Sequence, residues 1–431
     1  MKITEIYQKF LQSNKIEIDS RKVQQNDFFV ALKGEHFDAN IFAKQAFENG
    51  ASYVMIDNSI FYIDDKTILV DDCLKTLQEL ANFHRKQLSI PIIALTGSNG
   101  KTTTKELTKA VLSEKYNVKA TFGNLNNHIG VPLTLLSLDQ KTEIGIIEMG
   151  ANHKNEIEFL CKIADPNMGC ITNFGKAHLD GFGDLEGVIQ TKTELYKYLK
   201  NTNFDRQKTV FINLDDAIQV EKSKGLNSFS FSCKDKNATI FIESLQANPF
   251  VKINFQQTEI QSNLIGAYNI SNIATAITIG EYFKITTEKI KHAIENYFPK
   301  NNRSQIIQRN SNTIIMDAYN ANHSSMKVAI DSFISLDGSS KMMILGDMFE
   351  LGNESLQLHQ NIVSELKNST EIEVFFVGNN FYSVKVQQKN YTFFQSFEQL
   401  KNYFSNVETT KKTILIKGSR AMALERILEV L

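Results

Sequence analysis

Pro91-Ile92-Ile93-Ala94-Leu95-Thr96-Gly97-Ser98-Asn99-Gly100-Lys101-Thr102-Thr103-Thr104 is the stretch on which the reading of this 431-residue chain turns. The apolar run Ile92 to Leu95 has the length and make-up of a buried strand, and Thr96-Gly97 marks the turn that ends it. From Lys101 onward Leu107, Val111 and, one face over, Leu112 recur at helical spacing, so a strand, a Gly-bearing loop and a helix follow one another. Such a loop suits phosphate. Its glycines let the backbone aim N–H groups inward, the helix N-terminus adds partial positive charge, and a lysine reaches the outer phosphates. Gly97, Ser98, Asn99, Gly100, Lys101, Thr102 and Thr103 are therefore the candidate nucleotide contacts, with the Thr102 hydroxyl offered to magnesium. The first Gly of the common G-x-x-x-x-G-K-[ST] pattern would fall on Leu95, which leaves G-x-x-G-K-T as the working core. The plain alternative is an ordinary Gly-rich turn with an exposed lysine.

Working outward, residues 1–85 mix short strands (Asp27 to Leu32, Tyr53 to Ile56) with helix-like stretches at 40–49 and 73–88. Beyond the phosphate loop, strands are predicted at Ile144 to Ile147, Cys170 to Thr172, Val210 to Ile212 and Ser228 to Phe231, and a helix over 268–283. Phe298-Pro299-Lys300-Asn301-Asn302 breaks the pattern and reads as a linker. After it Thr313 to Met316, Met342 to Leu345, Val374 to Val377 and Thr413 to Ile416 each precede a helical stretch, the last being 420–431. The expected fold is α/β in three domains. Residues 1–88 form a small N-terminal α/β domain, 89–298 a central P-loop ATPase-like domain with a parallel sheet, and 299–431 a Rossmann-like domain with helices on both faces.

Composition narrows the function classes. The 47 Lys and Arg nearly cancel the 48 Asp and Glu, so no overall basic field exists to hold nucleic acid. Four cysteines, Cys73, Cys161, Cys170 and Cys233, lack C-x-x-C spacing and read as a reduced set rather than a disulfide framework or a thiolate metal site. The N-terminus lacks the apolar core of a signal peptide and no long apolar run occurs, so a cytoplasmic protein without membrane insertion is expected.

Three further groups stand where chemistry is expected. Glu148 ends the predicted strand Ile144 to Ile147, where a carboxylate can hold magnesium on a nucleotide phosphate; position alone leaves a solvated Glu equally open. His178 lies in the Gly-studded loop Phe174 to Gly183, where a lone His is commonly a surface residue. Lys192, in Thr191-Lys192-Thr193-Glu194, reads by composition as a solvated helix residue. Asp180-Gly181-Phe182-Gly183 fits the D-x-x-G of a GTPase switch, but the nearest guanine-selecting phrase, Asn14-Lys15-Ile16-Glu17, ends in the wrong acid and precedes the loop.

Together these phrases resemble the Mur ligase family of ATP-dependent amide-forming enzymes of peptidoglycan synthesis, closest to its MurF type. The resemblance runs through nearly the whole chain. It includes Asp19-Ser20-Arg21-Lys22-Val23 and Asn26 to Asp38 in the first domain, with Asn26 where the family usually has Gly. In the central domain it includes Asn124-Leu125-Asn126-Asn127-His128, Glu148-Met149-Gly150-Ala151-Asn152 and Gly266 to Asn272. In the third it includes Asp317-Ala318-Tyr319-Asn320-Ala321-Asn322, Leu345 to Gly352 and Lys417-Gly418-Ser419-Arg420, with His323 where the family has Pro.

The resemblance implies an ATP-dependent carbon–nitrogen ligase that joins D-alanyl-D-alanine to UDP-N-acetylmuramoyl-tripeptide through an acyl phosphate. It implies two magnesium ions, one on Thr102 and Glu148, the other on His178 and a carbamylated Lys192; Lys101, Glu148, His178 and Lys192 are then the catalytic set. It further implies Asn269 at adenine, Arg303 at the ATP phosphates and Asp317 at ribose. Ser20, Arg21, Asn126 and Asn127 are implied as contacts to the UDP-linked substrate, and Tyr319, Asn320 and Asn322 to the dipeptide. Read plainly, Asn269 is a helix N-cap and Asn320-Ala321-Asn322 a turn. A monomer is expected. The alternatives are a third-residue-adding ligase, whose Asp-Asn-Pro-Arg phrase is absent here, a folylpolyglutamate synthase, or a nucleotide-binding regulator without turnover.

Overall fold

A computed structural model describes residues 1–176, 179–201, 208–300, 302–338 and 340–431. Among these, the central sheet has seven strands in the order Ile240–Phe241, Asn227–Ser232, Thr209–Asn213, Met168–Ile171, Ile92–Thr96, Ile144–Glu148 and Val118–Ala120, all parallel. The strand before the phosphate loop is interior to this sheet and all five of its residues are buried, which is why it reads as an unbroken apolar run. The loop then opens the helix Lys101–Ser113, whose Leu107, Val111 and Leu112 are fully buried against Ile93, Ile144 and Ile146.

On the N-terminal side, strands Ile16–Glu17, Phe28–Val30, Tyr53–Ile56 and Thr67–Leu69 form a parallel sheet. Alternate residues face opposite ways: Phe28, Val30 and Met55 meet the helices Ile3–Leu11 and Cys73–Leu88, while Phe29, Val54 and Ile56 meet the small helix Ala43–Glu48. The helix-like stretch at 40–49 begins as a 3-10 turn, Ala39–Phe42, before turning α-helical. Asn26 adopts φ 67°, the left-handed conformation that Asn tolerates among non-glycine residues.

Past the linker, the sheet runs Gln305–Arg309, Asn312–Asp317, Thr413–Lys417, Lys341–Gly346, Glu373–Val377 and Tyr391–Phe394. It is parallel except for the antiparallel edge strand Gln305–Arg309. Helices cover both faces. Ile315, Met343, Leu345 and Leu415 pack on the side of helices His323–Ile334 and Ser355–Glu365, whereas Ile314, Met342, Ile344 and Ile416 pack on the side of Phe397–Phe404 and the C-terminal turns.

Two features depart from the sequence expectation. A three-stranded antiparallel sheet, Glu243–Gln246, Phe250–Phe255 and Thr258–Ile265, packs Val251, Ile253 and Phe255 into the core that also holds Leu107 and Ile273. The helix expected over 420–431 is instead two 3-10 segments, Arg420–Met422 and Leu424–Glu429, because Ala423 between them takes φ 46°, outside the right-handed helical region. The four cysteines are free thiols. No helix among the described residues is long and apolar enough to cross a membrane.

Candidate active site

The strand Ile92–Thr96 delivers Gly97 to the carboxyl end of the central sheet, between its neighbours Ile144–Glu148 and Met168–Ile171. That is where open α/β sheets bind ligands. Gly97 turns at φ +143° with a would-be Cβ only 2.0 Å from Thr172 Oγ1, and Gly100 stands at φ +77° with a would-be Cβ 2.5 Å from Asn272 Oδ1. Neither position accepts a side chain without displacing a wall of the site. Those walls also hold the loop directly. Thr172 Oγ1 donates to Asn99 O at 2.6 Å, Asn173 Oδ1 accepts from the Asn99 N–H at 3.0 Å, and Ser98 Oγ donates to Gly175 O at 2.9 Å.

Lys101 opens the helix and folds its Nζ back to donate to Gly97 O at 2.7 Å and Ser98 O at 3.2 Å. Desolvation pulls its ammonium below the ordinary lysine range; the Glu148 carboxylate opposes the shift and the Arg303 guanidinium adds to it. Lys101 and Arg303 line the same cleft as two cations, charge that a polyanion would neutralise.

Glu148 is 1% exposed and fully engaged. Its Oε2 accepts from Thr102 Oγ1 at 3.0 Å and its Oε1 from Asn126 Nδ2 at 2.9 Å. Behind it Lys105 is wholly buried, with Nζ 3.6 Å from Glu148 Oε2 and donating to Thr121 O at 2.5 Å. Thr121 Oγ1 in turn accepts from the Glu148 N–H at 2.9 Å. Thr102 and Glu148 thus present a hydroxyl and a carboxylate side by side, the hard oxygen donors that magnesium requires, so the residues present fit that ion. Lys105 was not singled out from sequence, although its spacing of four from Lys101 places it on the same helix face.

The third domain supplies the opposite wall. Arg303, Asp317, Tyr319, Asn320 and Asn322 line one cleft of about 1030 Å³ with Ser98 to Thr103, Asn126, Asn127, Glu148 and Asn269. The guanidinium of Arg303 lies 3.7 Å from the centre of the Tyr319 ring. Its backbone is pinned on both sides, since Tyr319 N–H donates to Asn302 O at 3.1 Å and Ser304 N–H to Asp317 Oδ1 at 3.1 Å. Asp317 also forms a 2.5 Å ion pair with the buried Lys417, a residue whose place in the cleft sequence reading left unassigned. Asn322 caps the helix His323–Ile334, accepting from Ser325 N–H at 2.9 Å, while its Nδ2 donates to Asn99 Oδ1 at 2.9 Å.

Asn269 differs from its plain reading. It is the first residue of the helix Asn269–Tyr282 rather than its N-cap; its Nδ2 donates back to Ile265 O and its Oδ1 accepts from Asn272. Lys192 differs more. It is 2% exposed, with Nζ 3.5 Å from Ala151 O and 5.2 Å from the centre of the Phe182 ring, so it is no solvated helix residue. Desolvation, aided by Lys101 and opposed by Glu156 and Glu194, lowers its pKa to about 7. His178 lies outside the described residues.

Ser20 and Arg21 do not join the cleft. Ser20 Oγ donates to Gln45 Oε1 at 3.0 Å, and the Arg21 side chain forks onto Asp19, with both contacts at 2.9 Å, on the surface of the first domain.

A Mur ligase middle domain model matches residues 95–280, and a Mur ligase, glutamate ligase domain model matches residues 302–420. The chain is 37% identical over 430 residues to the UDP-N-acetylmuramoyl-tripeptide--D-alanyl-D-alanine ligase of Buchnera aphidicola subsp. Baizongia pistaciae, covering 96% of this chain and 92% of that one. It belongs to the Mur ligase family. The Bacillus subtilis enzyme of the same name is 33% identical over 426 residues, 96% of this chain and 92% of its own. Among solved structures, MurF from Acinetobacter baumannii superposes with a TM-score of 0.86 at 28% identity, covering 99% of this chain and 98% of that chain. MurF ligase from Thermotoga maritima in complex with ADP gives 0.83 at 25% identity, covering 98% and 97%. The middle-domain match contains the phosphate loop and the other contains Asp317 to Asn322, so the cleft lies between the two matched domains.

Proposed function

We propose that this Mur ligase uses ATP to join D-alanyl-D-alanine to UDP-N-acetylmuramoyl-tripeptide, giving the pentapeptide precursor of peptidoglycan in the cytoplasm. The observation that carries the reading is the single cleft in which the phosphate loop and Glu148 face Tyr319, Asn320 and Asn322 from the third domain. Full-length likeness to enzymes bearing that name supports the choice of substrates.

In the proposed reaction, a carboxylate oxygen of the tripeptide attacks the γ-phosphorus of ATP and ADP departs, leaving an acyl phosphate. The neutral amine of the dipeptide then attacks the acyl carbon, inorganic phosphate leaves, and the amine gives up a proton. Two anions must meet at phosphorus, so cations have to lie close by. Lys101 and Arg303 supply them from opposite sides of the cleft. Thr102 and Glu148 are the donors that would hold a magnesium ion, whose charge screens the phosphates. A second ion would rest on His178 and a carbamylated Lys192. Carbamylation needs an uncharged amine, and a lysine with pKa about 7 supplies one at neutral pH.

We assign Asn269 to adenine, Asp317 to ribose, and Asn126 with Asn127 to the UDP-linked substrate. Ser20 and Arg21 would contact the uridine end, in a UDP-binding domain of residues 1–88 that precedes an ATP-binding domain, 89–298, and an acceptor domain, 299–431, in an enzyme acting as a monomer. The deciding experiment measures phosphate release by the purified enzyme. Release is expected only with ATP, tripeptide substrate and dipeptide together; release independent of the dipeptide would overturn the reading.

A further inference from the structure

Arg420 ends the phrase Lys417-Gly418-Ser419-Arg420 and lines the cleft beside Tyr319 and Asn320. It follows the strand Thr413–Lys417, which pairs in parallel with Asn312–Asp317, so the loops after these two neighbouring strands meet at one edge of the cleft. The Arg420 N–H reaches Asn320 Oδ1 at 3.4 Å, and its guanidinium carbon lies 5.6 Å from the centre of the Tyr319 ring. One Nη donates to Glu425 Oε1 at 3.2 Å. The side chain is nevertheless 61% exposed, so Glu425 steadies the fork from one side and leaves the rest of it accessible at the edge of the cleft.

The other cations of this wall are already committed. Lys417 is buried and neutralised by Asp317 at 2.5 Å. Arg303 is half-buried and stacks on Tyr319. Among the described third-domain cations that line the cleft, Lys417 is buried, Arg303 half-buried and Arg420 exposed, so Arg420, even with one Nη on Glu425, is the one most accessible to a ligand.

A zwitterionic dipeptide poses a definite problem here. Its amine must reach the acyl carbon uncharged, so its carboxylate enters a partly dry cleft without its internal counter-charge. Unpaired, that carboxylate would oppose binding. A planar guanidinium matches it with two parallel hydrogen bonds.

We propose that Arg420 is the acceptor-carboxylate clamp: it binds the C-terminal carboxylate of the dipeptide and restricts the enzyme to acceptors that end in a free carboxylate. The inference rests on the proposed function, because the acceptor it serves is the one named there.

The test compares initial rates for D-alanyl-D-alanine and for its C-terminal amide, in the full-length wild type and in Arg420→Gln, at saturating ATP and tripeptide substrate. The wild type should favour the free carboxylate. In Arg420→Gln, kcat/KM for the free dipeptide should fall roughly 10- to 100-fold, mostly through KM, as expected for losing a charge-assisted pair. The rate with the amide and the KM for ATP should change little, so the variant no longer distinguishes the two acceptors. A purely structural role would instead depress both acceptors alike and raise the KM for ATP, and that result would overturn the clamp. So would an Arg420→Gln enzyme that keeps the wild-type preference. If Arg420→Gln does not fold, Arg420→Lys keeps the charge without the fork. It should retain a reduced preference for the carboxylate, and an undiminished one would count against the assignment. A wild type that uses neither acceptor overturns the functional reading and this inference with it, whereas a wild type that ligates the free dipeptide and its amide equally well overturns only the clamp.

Discussion

Asn322 Nδ2 donates to Asn99 Oδ1 at 2.9 Å, joining residues 223 positions apart across the cleft. One side chain of the third-domain wall thereby touches the phosphate loop itself. The contact is small and polar, of the kind that forms and breaks as domains of one chain rotate against each other. Asn322→Ala removes both this bond and the helix cap to Ser325, a cap loss of about 1 kcal/mol. The variant without ligand should show a larger radius of gyration by small-angle scattering than the wild type, and a non-hydrolysable ATP analogue with UDP-tripeptide should contract both. An unchanged radius with both ligands bound would count against closure.

Lys101→Ala should abolish ligation while leaving the fold. Among the described residues the side chain bonds to carbonyls of its own loop, so little packing is lost, but the cation proposed to meet the phosphates disappears. A drop of at least roughly 100-fold in kcat/KM for ATP is expected in the phosphate-release assay. Near wild-type ligation by a folded mutant would remove the phosphate-loop assignment.

For Lys192 the sign of the pH effect follows from its burial. An unmodified Lys192 has its pKa lowered from 10.5 to about 7 by folding, so between those values the unfolded chain binds more protons and stability rises with pH. The contribution is lost as pH falls through about 7. Lys192→Met should lose this slope in thermal melts run from pH 6 to 10, a range roughly spanning the two ordinary and shifted values. Carbamylation should follow the same protonation state: with ¹³C-bicarbonate, a carbamate carbon signal should grow as pH rises through neutrality and be absent from Lys192→Ala. That variant should lose activity which added short carboxylates partly restore.

Gly100→Ala places a methyl 2.5 Å from Asn272 Oδ1 at a residue with φ +77°. Left-handed backbone costs about 1–2 kcal/mol for a residue with a side chain. The displaced Asn272 would also release Thr104 Oγ1, which donates to it at 3.0 Å. A lower melting temperature and weaker nucleotide binding by calorimetry are expected together; weaker stability with unchanged nucleotide affinity would show that Asn272 absorbs the methyl.

Much of this arrangement is legible in sequence because it rests on local patterns. Ile92 to Leu95 reads as a strand since an interior parallel strand is apolar on both faces, and the helix after it since Leu107 and Val111 repeat at its period. The sheet Glu243 to Ile265 escaped notice although Val251, Ile253 and Phe255 alternate, because an isolated alternation of that length carries little weight without its pairing partners. Burial is the other illegible quantity. Lys192 and Lys105 look like solvent-facing helix residues in the chain, and only tertiary packing puts one beside Phe182 and the other behind Glu148. Arg420 escaped because its value depends on what its neighbours already neutralise.

The walls that constrain Gly97 and Gly100 bear on how the enzyme is made. Thr172 and Asn272 emerge from the ribosome long after the loop they press upon, and Asn322 later still. A nascent chain that has reached residue 113 therefore contains every atom of the phosphate loop and its helix but none of Thr172, Asn173, Asn272 or Asn322, the side chains that contact and hold the loop. Nucleotide capture should consequently be a late event in synthesis. Fragments ending before the helix Asn269–Tyr282 should bind no nucleotide.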